Sequence, residues 1–394
     1  MVTGFSKFFI VRISILKVLV IAFTHIRNPL RALRALHALD LLRKKYSGDK
    51  EAVKGFKANG RYFFYNHVPG FPSRAFDHFH REELNLIERF NPRMQKLRSV
   101  ILSVTKKCPL NCEHCYELKL LNKQEILSLI DLKKIVSDLQ EQGVTQIYLS
   151  GGEPMTRFND LIEILKSASD RSDFWLITSG INLSLEKARI LKKTRRLTGV
   201  SISVDHYLPD EHNAFRRRAY SYEEAINAVK NCKEADLAVG MAICTTRSFV
   251  NWDNLIRYAQ LAKELGAHFI QLQEPYAVGG YEGKEVTLTD SHINVLDNFY
   301  RELNTNKKYR DMPIVVYHGY HQRRIGCFGG GNRYLYIDSD GNVHSCPYCQ
   351  TKKANILEDN LAKCLVQLEA KGCTSFKNIP HNKAKELYSD LVNL

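Results

Sequence analysis

The segment Cys108-Pro-Leu-Asn-Cys112-Glu-His-Cys115 decides the fold, and it places three cysteines on one short loop. It directly follows Ser99–Val104, an apolar run with the composition of a β-strand. Three thiols this close along the chain cannot all pair locally as disulfides, but all three can face one metal centre. Thiolates hold iron–sulfur clusters and zinc, and because such centres need four ligands, one position remains for another molecule.

A second motif, Gly151-Gly-Glu-Pro154, follows Ile147–Ser150, which has the character of a short buried strand. The two glycines allow the backbone to approach a ligand closely, and the carboxylate of Glu153 can face a cation. Taken alone, this motif is more often a turn. Its position after the cysteine loop and an intervening helical pattern is what gives it meaning.

Together the two motifs resemble those of the radical SAM superfamily, with His114 in the aromatic place of its cysteine signature. The resemblance implies that the three thiolates carry a [4Fe–4S] cluster whose fourth iron binds S-adenosylmethionine (SAM). The implied cluster ligands are Cys108, Cys112 and Cys115, and the implied SAM contacts in the second motif are Gly151, Gly152, Glu153 and Pro154. A structural zinc loop is the alternative for the cysteines considered alone.

Short β-rich runs alternate with helical patterns from residue 99 onward. The runs cover residues 99–104, 146–150, 174–179, 199–205, 237–245 and 268–273. Six such repeats predict an α/β fold with a parallel sheet and outer helices. They fit the partial (β/α)6 TIM-type barrel of the radical SAM family, in which ligands gather at the C-terminal ends of the strands.

Polar residues at these strand ends are further candidates for ligand contacts. Ser203 and Asp205 end the fourth strand, and the resemblance implies contacts with the ribose or carboxylate of SAM. A loop hydroxyl and a helix-capping carboxylate are equally good alternatives for these two. Arg216 opens a run of three arginines in a loop where relatives often place an arginine near the SAM carboxylate. Gln273 and Glu274, after the sixth strand, could face a substrate.

A second group of cysteines begins at Cys327. The turn 338–341 contains Asp-Gly between two β-rich arms, which predicts a hairpin that brings Cys327 towards Cys346 and Cys349. The region resembles the SPASM extension of radical SAM enzymes in a shortened form, the twitch domain. The resemblance implies one auxiliary [4Fe–4S] cluster, and a structural zinc site is the alternative. The fourth thiol would come from Cys364, in a helical run, or Cys373, which follows Gly372 and is freer to turn inward.

The N-terminal segment is unusually basic. Residues 1–57 carry twelve Lys or Arg against three acids, within a chain of net charge +15. Phe8–Phe23 is almost wholly apolar, but Arg12 and Lys17 count against a spanning helix. Leu30–Lys45 has the pattern of a basic amphipathic helix. These features predict a peripheral position on the inner face of the cytoplasmic membrane, and packing on the protein's own body is the alternative.

Composition limits the remaining possibilities. Ten cysteines without a convincing secretion signal indicate a reducing, cytoplasmic compartment. Nucleic acid is not an expected partner, because the basic residues are not interleaved with stacking aromatics. We predict four regions: an apolar and basic helical appendage (1–48), a capping segment (49–98), the partial barrel (99–300), and a Cys-rich hairpin-plus-helix module (301–394).

The resemblance implies an enzyme that takes one electron from an external donor such as flavodoxin or ferredoxin. It would cleave SAM to a 5′-deoxyadenosyl radical, which abstracts hydrogen from an unactivated carbon. Residues 1–57 suggest a small or lipid-linked, membrane-associated substrate. A peptide, the common substrate of SPASM-bearing relatives, is the alternative, and a non-catalytic metal-binding scaffold is a third hypothesis.

Overall fold

The computed structural model describes residues 1–48, 52–64, 68–92, 96–330 and 333–371. Its strands are β1 (Val2–Thr3), β2 (Lys54–Ala58), β3 (Arg61–Phe63), β4 (Ser99–Ser103), β5 (Gln146–Ser150), β6 (Asp173–Thr178), β7 (Leu197–Ser203), β8 (Ala238–Cys244), β9 (Phe269–Gln273), β10 (Ile314–Tyr317), β11 (Tyr334–Ile337), β12 (Asn342–His344) and β13 (Ala354–Asn355). Its α-helices are α1 (Gly4–His25), α2 (Pro29–Ser47), α3 (Arg74–Ile87), α4 (Leu129–Glu141), α5 (Phe158–Ser167), α6 (Leu185–Lys193), α7 (Pro209–Arg216), α8 (Ser221–Glu234), α9 (Trp252–Glu264), α10 (Asp290–Thr305), α11 (His318–Ile325) and α12 (Leu361–Lys371).

The central sheet has ten strands in the order β10-β9-β8-β7-β6-β5-β4-β11-β12-β13. All neighbours from β10 to β11 are parallel, and the last two pairs are antiparallel. The predicted fold class is confirmed, because the six predicted barrel strands are β4 to β9. The sheet also gains β10 beside β9 and β11 beside β4, and these two strands do not pair with each other in the described part of the chain.

Burial on both faces explains why the parallel strands are so apolar. All seven residues of β8 are buried, since the outer helices cover one face and the barrel interior the other. The helices that follow the strands present their apolar sides to the sheet, as with Leu132, Ile135 and Leu139 of α4. Because β4 to β9 are parallel, their carboxyl ends lie at one edge of the sheet, where the predicted site residues follow the strands.

The hairpin of β2 and β3 covers the opposite end of the barrel. Phe56 and Phe63 stack on each other with ring centroids 4.7 Å apart, and they pack against Trp175 and Phe269 near the starts of their strands. Arg61 forms an ion pair with the buried Asp173 at 2.5 Å. Aromatic side chains therefore pack across this end of the barrel.

Helices α1, α2 and α3 form a compact group beside the barrel. Ala22 of α1, Ala32 and Ala35 of α2, and Leu84 of α3 are buried together. Small side chains at these positions allow the helix axes to approach closely. The alternative that residues 1–48 pack on the protein's own body is therefore realised along one side of these helices.

The C-terminal hairpin is confirmed, because Tyr336 pairs with His344 and Ile337 with Val343 in antiparallel register. Its first strand also pairs in parallel with β4, so this module continues the barrel sheet. The parallel pairing was not predicted from the sequence. The division of the chain into four regions remains a prediction.

Candidate active site

The three cysteines of the first motif converge on one wall of a large cavity. Cys108, Cys112 and Cys115 pack with Leu110 and Ile181 in a small apolar group, and all three thiols line a cavity of about 880 Å³. Burial raises the pKa of Cys108 to about 11 and that of Cys115 to about 12. Thiols in such dry surroundings ionise only beside a strong positive charge, which a bound metal cluster supplies.

The donor set suits an iron–sulfur cluster. Cys108, Cys112 and Cys115 line the cavity from one short loop, and thiolates are the usual ligands of such clusters. Three protein ligands leave one position for another molecule.

The glycine motif packs directly against the start of the cysteine loop. The amide of Gly152 donates to the carbonyl of Thr105 at 2.8 Å, and the amide of Glu153 donates to the carbonyl of Lys107 at 2.7 Å. A Cβ at Gly152 would lie only 2.4 Å from that Lys107 oxygen. Gly151 and Gly152 both line the cavity, so the lack of side chains opens space beside the thiols.

The carboxylate of Glu153 is occupied by the barrel itself. Its Oε1 accepts a hydrogen bond from the Thr178 hydroxyl at 2.6 Å, and its Oε2 accepts one from the Ser179 amide at 2.8 Å. Only 1% of Glu153 is exposed, and burial raises its pKa although these donors oppose the shift. Neither Glu153 nor Pro154 is among the residues that line the cavity. Their predicted contacts with SAM remain predictions.

Asp205, Arg216 and Cys112 form a buried chain of charge. Asp205 accepts from Arg216 Nε at 2.6 Å and, through its other oxygen, from the Cys244 amide at 2.9 Å. Arg216 Nη1 also donates to Cys112 Sγ at 3.5 Å. Burial raises the pKa of Cys112, and the guanidinium opposes that shift. Arg216 is therefore placed to favour the thiolate of a cluster ligand.

The two other arginines of the run and Ser203 lie differently. Arg217 is exposed with a left-handed backbone (φ 53°), and Arg218 pairs with Glu224 at 3.4 Å. Of the three, Arg216 is thus the one that the fold turns inward. Ser203 lines the cavity at the end of β7, as its predicted role requires. That role is untested.

The second group of cysteines opens onto the same cavity. Cys327 and Cys346 line it, and the Gly329 amide donates to Cys327 Sγ at 3.3 Å. Burial raises the pKa of Cys346 to about 12, and Cys349 is 1% exposed. These thiols share the dry surroundings of the first group.

The structure describes one of the two candidates for the fourth ligand of this second group. Cys364 is fully buried in the main core, and its Sγ faces the carbonyl of Asn355 at 3.6 Å. It does not line the cavity. Cys373 lies outside the described residues. The choice between them made from the sequence, Cys373, remains a prediction.

A match to a known protein family covers the cysteine loop and the glycine motif. Residues 102–262 match the family described as the radical SAM superfamily. This part of the chain is a radical SAM domain. The superfamily is an enzyme family, and the curated relatives of the chain are enzymes.

Two of these relatives show how far the likeness extends. The chain is 28% identical over 285 residues to the AdoMet-dependent heme synthase of Methanosarcina barkeri, which covers 66% of this chain and 80% of that protein. It is 29% identical over 257 residues to the PqqA peptide cyclase of Bradyrhizobium diazoefficiens, which covers 63% of this chain and 66% of that protein. The match therefore spans just under two thirds of the peptide cyclase.

Solved structures share the radical SAM fold. Streptococcus suis SuiB bound to the precursor peptide SuiA covers 74% of this chain and 69% of that chain, with a TM-score of 0.58 and 13% identity. Native anSMEcpe with bound AdoMet covers 75% of this chain and 96% of that chain, with a TM-score of 0.54 and 15% identity. At such identities the likeness establishes the fold alone.

Two features of this radical SAM site escaped the sequence analysis. The pair Gly279-Gly280 packs on the cysteine loop, where the Gly280 amide donates to the Cys115 carbonyl at 2.9 Å. A Cβ at Gly279 would lie 2.2 Å from the same oxygen. Two adjacent glycines shortly after the sixth predicted strand were the available signal for a second close approach.

The second missed feature is a charge cluster around Glu274, which lines the cavity as predicted for a substrate-facing residue. Its Oε1 accepts from Tyr317 at 2.7 Å and from Arg323 Nη1 at 2.6 Å. Arg323 also bonds Asp297 at 2.8 Å. Nothing local in the sequence pointed to these partners, because β10 was not recognised as a barrel strand.

Proposed function

We propose that this radical SAM enzyme holds a [4Fe–4S] cluster on Cys108, Cys112 and Cys115, with SAM beside Gly151 and Gly152. When bound, cluster and SAM together supply the chemistry: one electron from an external donor such as flavodoxin or ferredoxin cleaves SAM to methionine and a 5′-deoxyadenosyl radical, which takes a hydrogen atom from a substrate carbon. The observation that carries the proposal is the group of three thiols on the cavity wall, Cys112 buried and the other two partly buried, with the glycine loop packed against them.

The chain's own residues bind, orient and exclude water. Arg216 lies against Cys112 and is held there by Asp205, so the positive charge faces the thiol side of the cavity. Glu153 fixes the glycine loop to the end of β6 through Thr178 and Ser179. Ser203 offers a hydroxyl towards the cavity from the end of β7. These rigid contacts support a radical reaction because they keep the reacting groups in place and solvent out.

We further propose one auxiliary [4Fe–4S] cluster on Cys327, Cys346 and Cys349, with Cys373 as the fourth ligand. It is supported by the loop-and-hairpin arrangement, in which Cys346 and Cys349 are buried and Cys327 is partly buried, and from which Cys327 and Cys346 line the same cavity. Tyr348 connects the two cysteine groups, since its ring lies 6.2 Å from that of Tyr116, the residue after Cys115. A structural zinc site is the competing assignment.

We propose a peripheral position on the inner, anionic face of the cytoplasmic membrane for the N-terminal helices. Helix α1 is, within the described residues, the one helix long and apolar enough to cross a membrane by length and composition, and 17% of its most apolar window is buried. Phe5, Leu16 and Val20 are 81%, 60% and 59% exposed. Such a large apolar surface is unusual on the water-exposed side of a protein and suits a lipid interface.

A peptide substrate is the second candidate. It is favoured by the likeness to the PqqA peptide cyclase and by the fold shared with SuiB, whose structure contains a precursor peptide. A membrane-associated substrate is favoured by helices α1 and α2. Stimulation of SAM cleavage by a membrane lipid extract or by a precursor peptide discriminates between the two.

The proposed chemistry is tested on anaerobically reconstituted protein by iron and sulfide content and by 5′-deoxyadenosine release from SAM with a reductant. A Cys108/Cys112/Cys115→Ala variant is the control. We expect about eight irons in the wild type and about four in the variant, with nucleoside from the wild type alone. Zinc in both places without any nucleoside would reject the enzyme hypothesis and favour the metal-binding scaffold.

A further inference from the structure

The cavity that contains the cysteines extends far beyond the space near them. At one end it is lined by Cys112, and at the other by Val18 of α1, Leu39 of α2, and Phe76 and Phe79 of α3. Its volume, about 880 Å³, lies near the top of the range of ligand pockets, about 300–1,000 Å³. One space therefore joins the proposed radical site to the N-terminal helices.

Helix α1 is apolar on two opposite sides. Phe5, Phe9, Leu16 and Val20 are exposed and share one side of the helix, at spacings of four and seven residues. Val11, Ile15 and Val18 line the cavity from the other side. A helix that is hydrophobic all round is normally buried in a core or in lipid. This helix has lipid-like surroundings available on one side and an internal cavity on the other.

The cavity reaches these helices through the open side of the barrel. Strands β10 and β11 are not paired in the described part of the chain, and α2 contacts the segments next to both of them. Tyr46 of α2 stacks on His321, which follows β10, with centroids 4.5 Å apart, and on Phe328, which precedes β11, at 6.1 Å. All three side chains line the cavity. The lateral gap of the sheet is thus filled by aromatic side chains that border the cavity.

We propose that the substrate is a lipid whose apolar chain lies in this N-terminal arm of the cavity, between α1, α2 and α3, with its reacting carbon at the cysteine end. This inference rests on the proposed function and names its substrate class. The arm offers Val18, Leu39, Phe76 and Phe79, which suit a hydrocarbon chain, beside the polar side chains of Ser14, Asp40 and Arg43.

Charge identifies the source of the lipid as an anionic bilayer. Residues 1–48 contain nine Lys or Arg and one acid, Asp40. Arg27 and Arg34 are exposed close to the exposed Leu30 and Leu33 of α2. Cations beside an apolar surface are attracted to acidic headgroups while the apolar side chains enter the interface. The outer side of α1 and the start of α2 would then rest on the membrane, and the cavity would open next to it.

The test uses full-length protein in solution with cis-parinaric acid, a long-chain fatty acid whose fluorescence rises in apolar sites. Val18→Trp and Leu39→Trp narrow the arm from two different helices, so one can still report if the other fails to fold. Ile130→Trp is the matched control, because Ile130 of α4 is 79% exposed, does not line the cavity and lies outside the proposed membrane surface. We expect saturable binding to the wild type and to I130W, and binding weakened at least about tenfold in both cavity variants.

The results of this titration separate the lipid inference from the proposed function. Equal binding by the wild type, I130W, V18W and L39W, or no binding by any, overturns the lipid-filled arm. Uncoupled 5′-deoxyadenosine release by the wild type is measured on the same preparation. Its absence counts against the proposed function, whereas its presence without probe binding counts against the lipid inference alone.

Flotation with vesicles of phosphatidylcholine and phosphatidylglycerol tests the source of the lipid. We expect the wild type to float with anionic vesicles at low salt, and a Phe5→Ser/Phe9→Ser/Leu16→Ser variant to remain unbound. If the wild type does not float but forms dimers that this variant loses, the exposed side of α1 binds a second copy and the bilayer source is wrong. Saturation by a precursor peptide that displaces the probe would make the arm a peptide site.

Discussion

Substituting Gly152 with alanine tests whether the close approach of the glycine and cysteine loops is what builds the site. The new Cβ would lie 2.4 Å from the Lys107 carbonyl oxygen and 3.0 Å from Cys108 Cβ. A carbon and an oxygen in close contact are normally about 3.3–3.6 Å apart, so the loops must separate by about 1 Å. Gly152 is not one of the residues with positive φ, so alanine adds a steric conflict without backbone strain.

We expect G152A to lose about 1–3 kcal/mol of stability, the usual cost of an overpacked site, while the barrel stays folded. The larger effect should fall on chemistry, because a displacement of about 1 Å at a reacting centre costs about 10²-fold in rate. Iron content and the rate of 5′-deoxyadenosine formation measure this effect, and circular dichroism reports on the fold.

Gly283→Ala is the matched control for this experiment. Gly283 has φ 74° and no atom within 4 Å of a built Cβ, so its substitution adds backbone strain of about 1 kcal/mol but no collision. A G152A enzyme that retains its iron and reacts within about threefold of G283A would refute the reasoning, because a factor of three is under 1 kcal/mol. The contact between the two loops would then be incidental to the site.

Three further changes test the structure elsewhere. Glu83→Gln should lower the free energy of unfolding in urea at pH 7 by about 3–5 kcal/mol, because Glu83 is buried between Arg333 and Arg98. The control Glu88→Gln, in a more exposed ion pair with Arg31, should lower it by under about 1 kcal/mol. Burial alone would raise the pKa of Glu83, but the two arginines outweigh burial and lower it. The ionised carboxylate therefore stabilises the fold at pH values above its ordinary pKa. The loss of stability in E83Q should shrink as the pH falls below about 4.5. Cys346→Ser should remove about four irons per chain and Cys364→Ser none, since the Cys364 thiol faces Asn355; equal losses would contradict the assignment. Asp205→Asn should lower the melting temperature because it leaves Arg216 buried without a counter-charge, and a change in SAM affinity alone would show that Asp205 is a ligand contact instead.

Much of the site was predictable because its signals are local in the chain. The spacing of Cys108, Cys112 and Cys115 and the run Gly151–Pro154 are short motifs whose meaning depends on residue type and order. The six barrel strands were equally accessible, since buried parallel strands are continuous apolar runs separated by amphipathic helices. The hairpin between residues 334 and 344 was indicated by its Asp-Gly turn.

Other features depend on contacts between residues far apart in the sequence. The carboxylate of Glu153 accepts hydrogen bonds from Thr178 and Ser179, which lie 25 and 26 residues away in the sequence. The partners of Glu274 come from β10 and α11, which the sequence pattern did not assign to the barrel. A side chain's direction is set by which strand lies beside it, and no local pattern encodes that neighbour.

The sequence by itself therefore determined the class of fold, the cysteine loop and the chemistry that it implies, because metal ligands and strand periodicity are properties of short segments. Only the tertiary structure decided that Arg216 turns inward to Cys112, that Cys364 faces the core, and that both cysteine groups share one cavity with α1 and α2. The physical reason is that a cavity forms where packed elements leave space between them. An ion pair between distant elements likewise forms only where those elements meet. Their existence depends on the whole arrangement of the sheet, including the unpaired gap between β10 and β11.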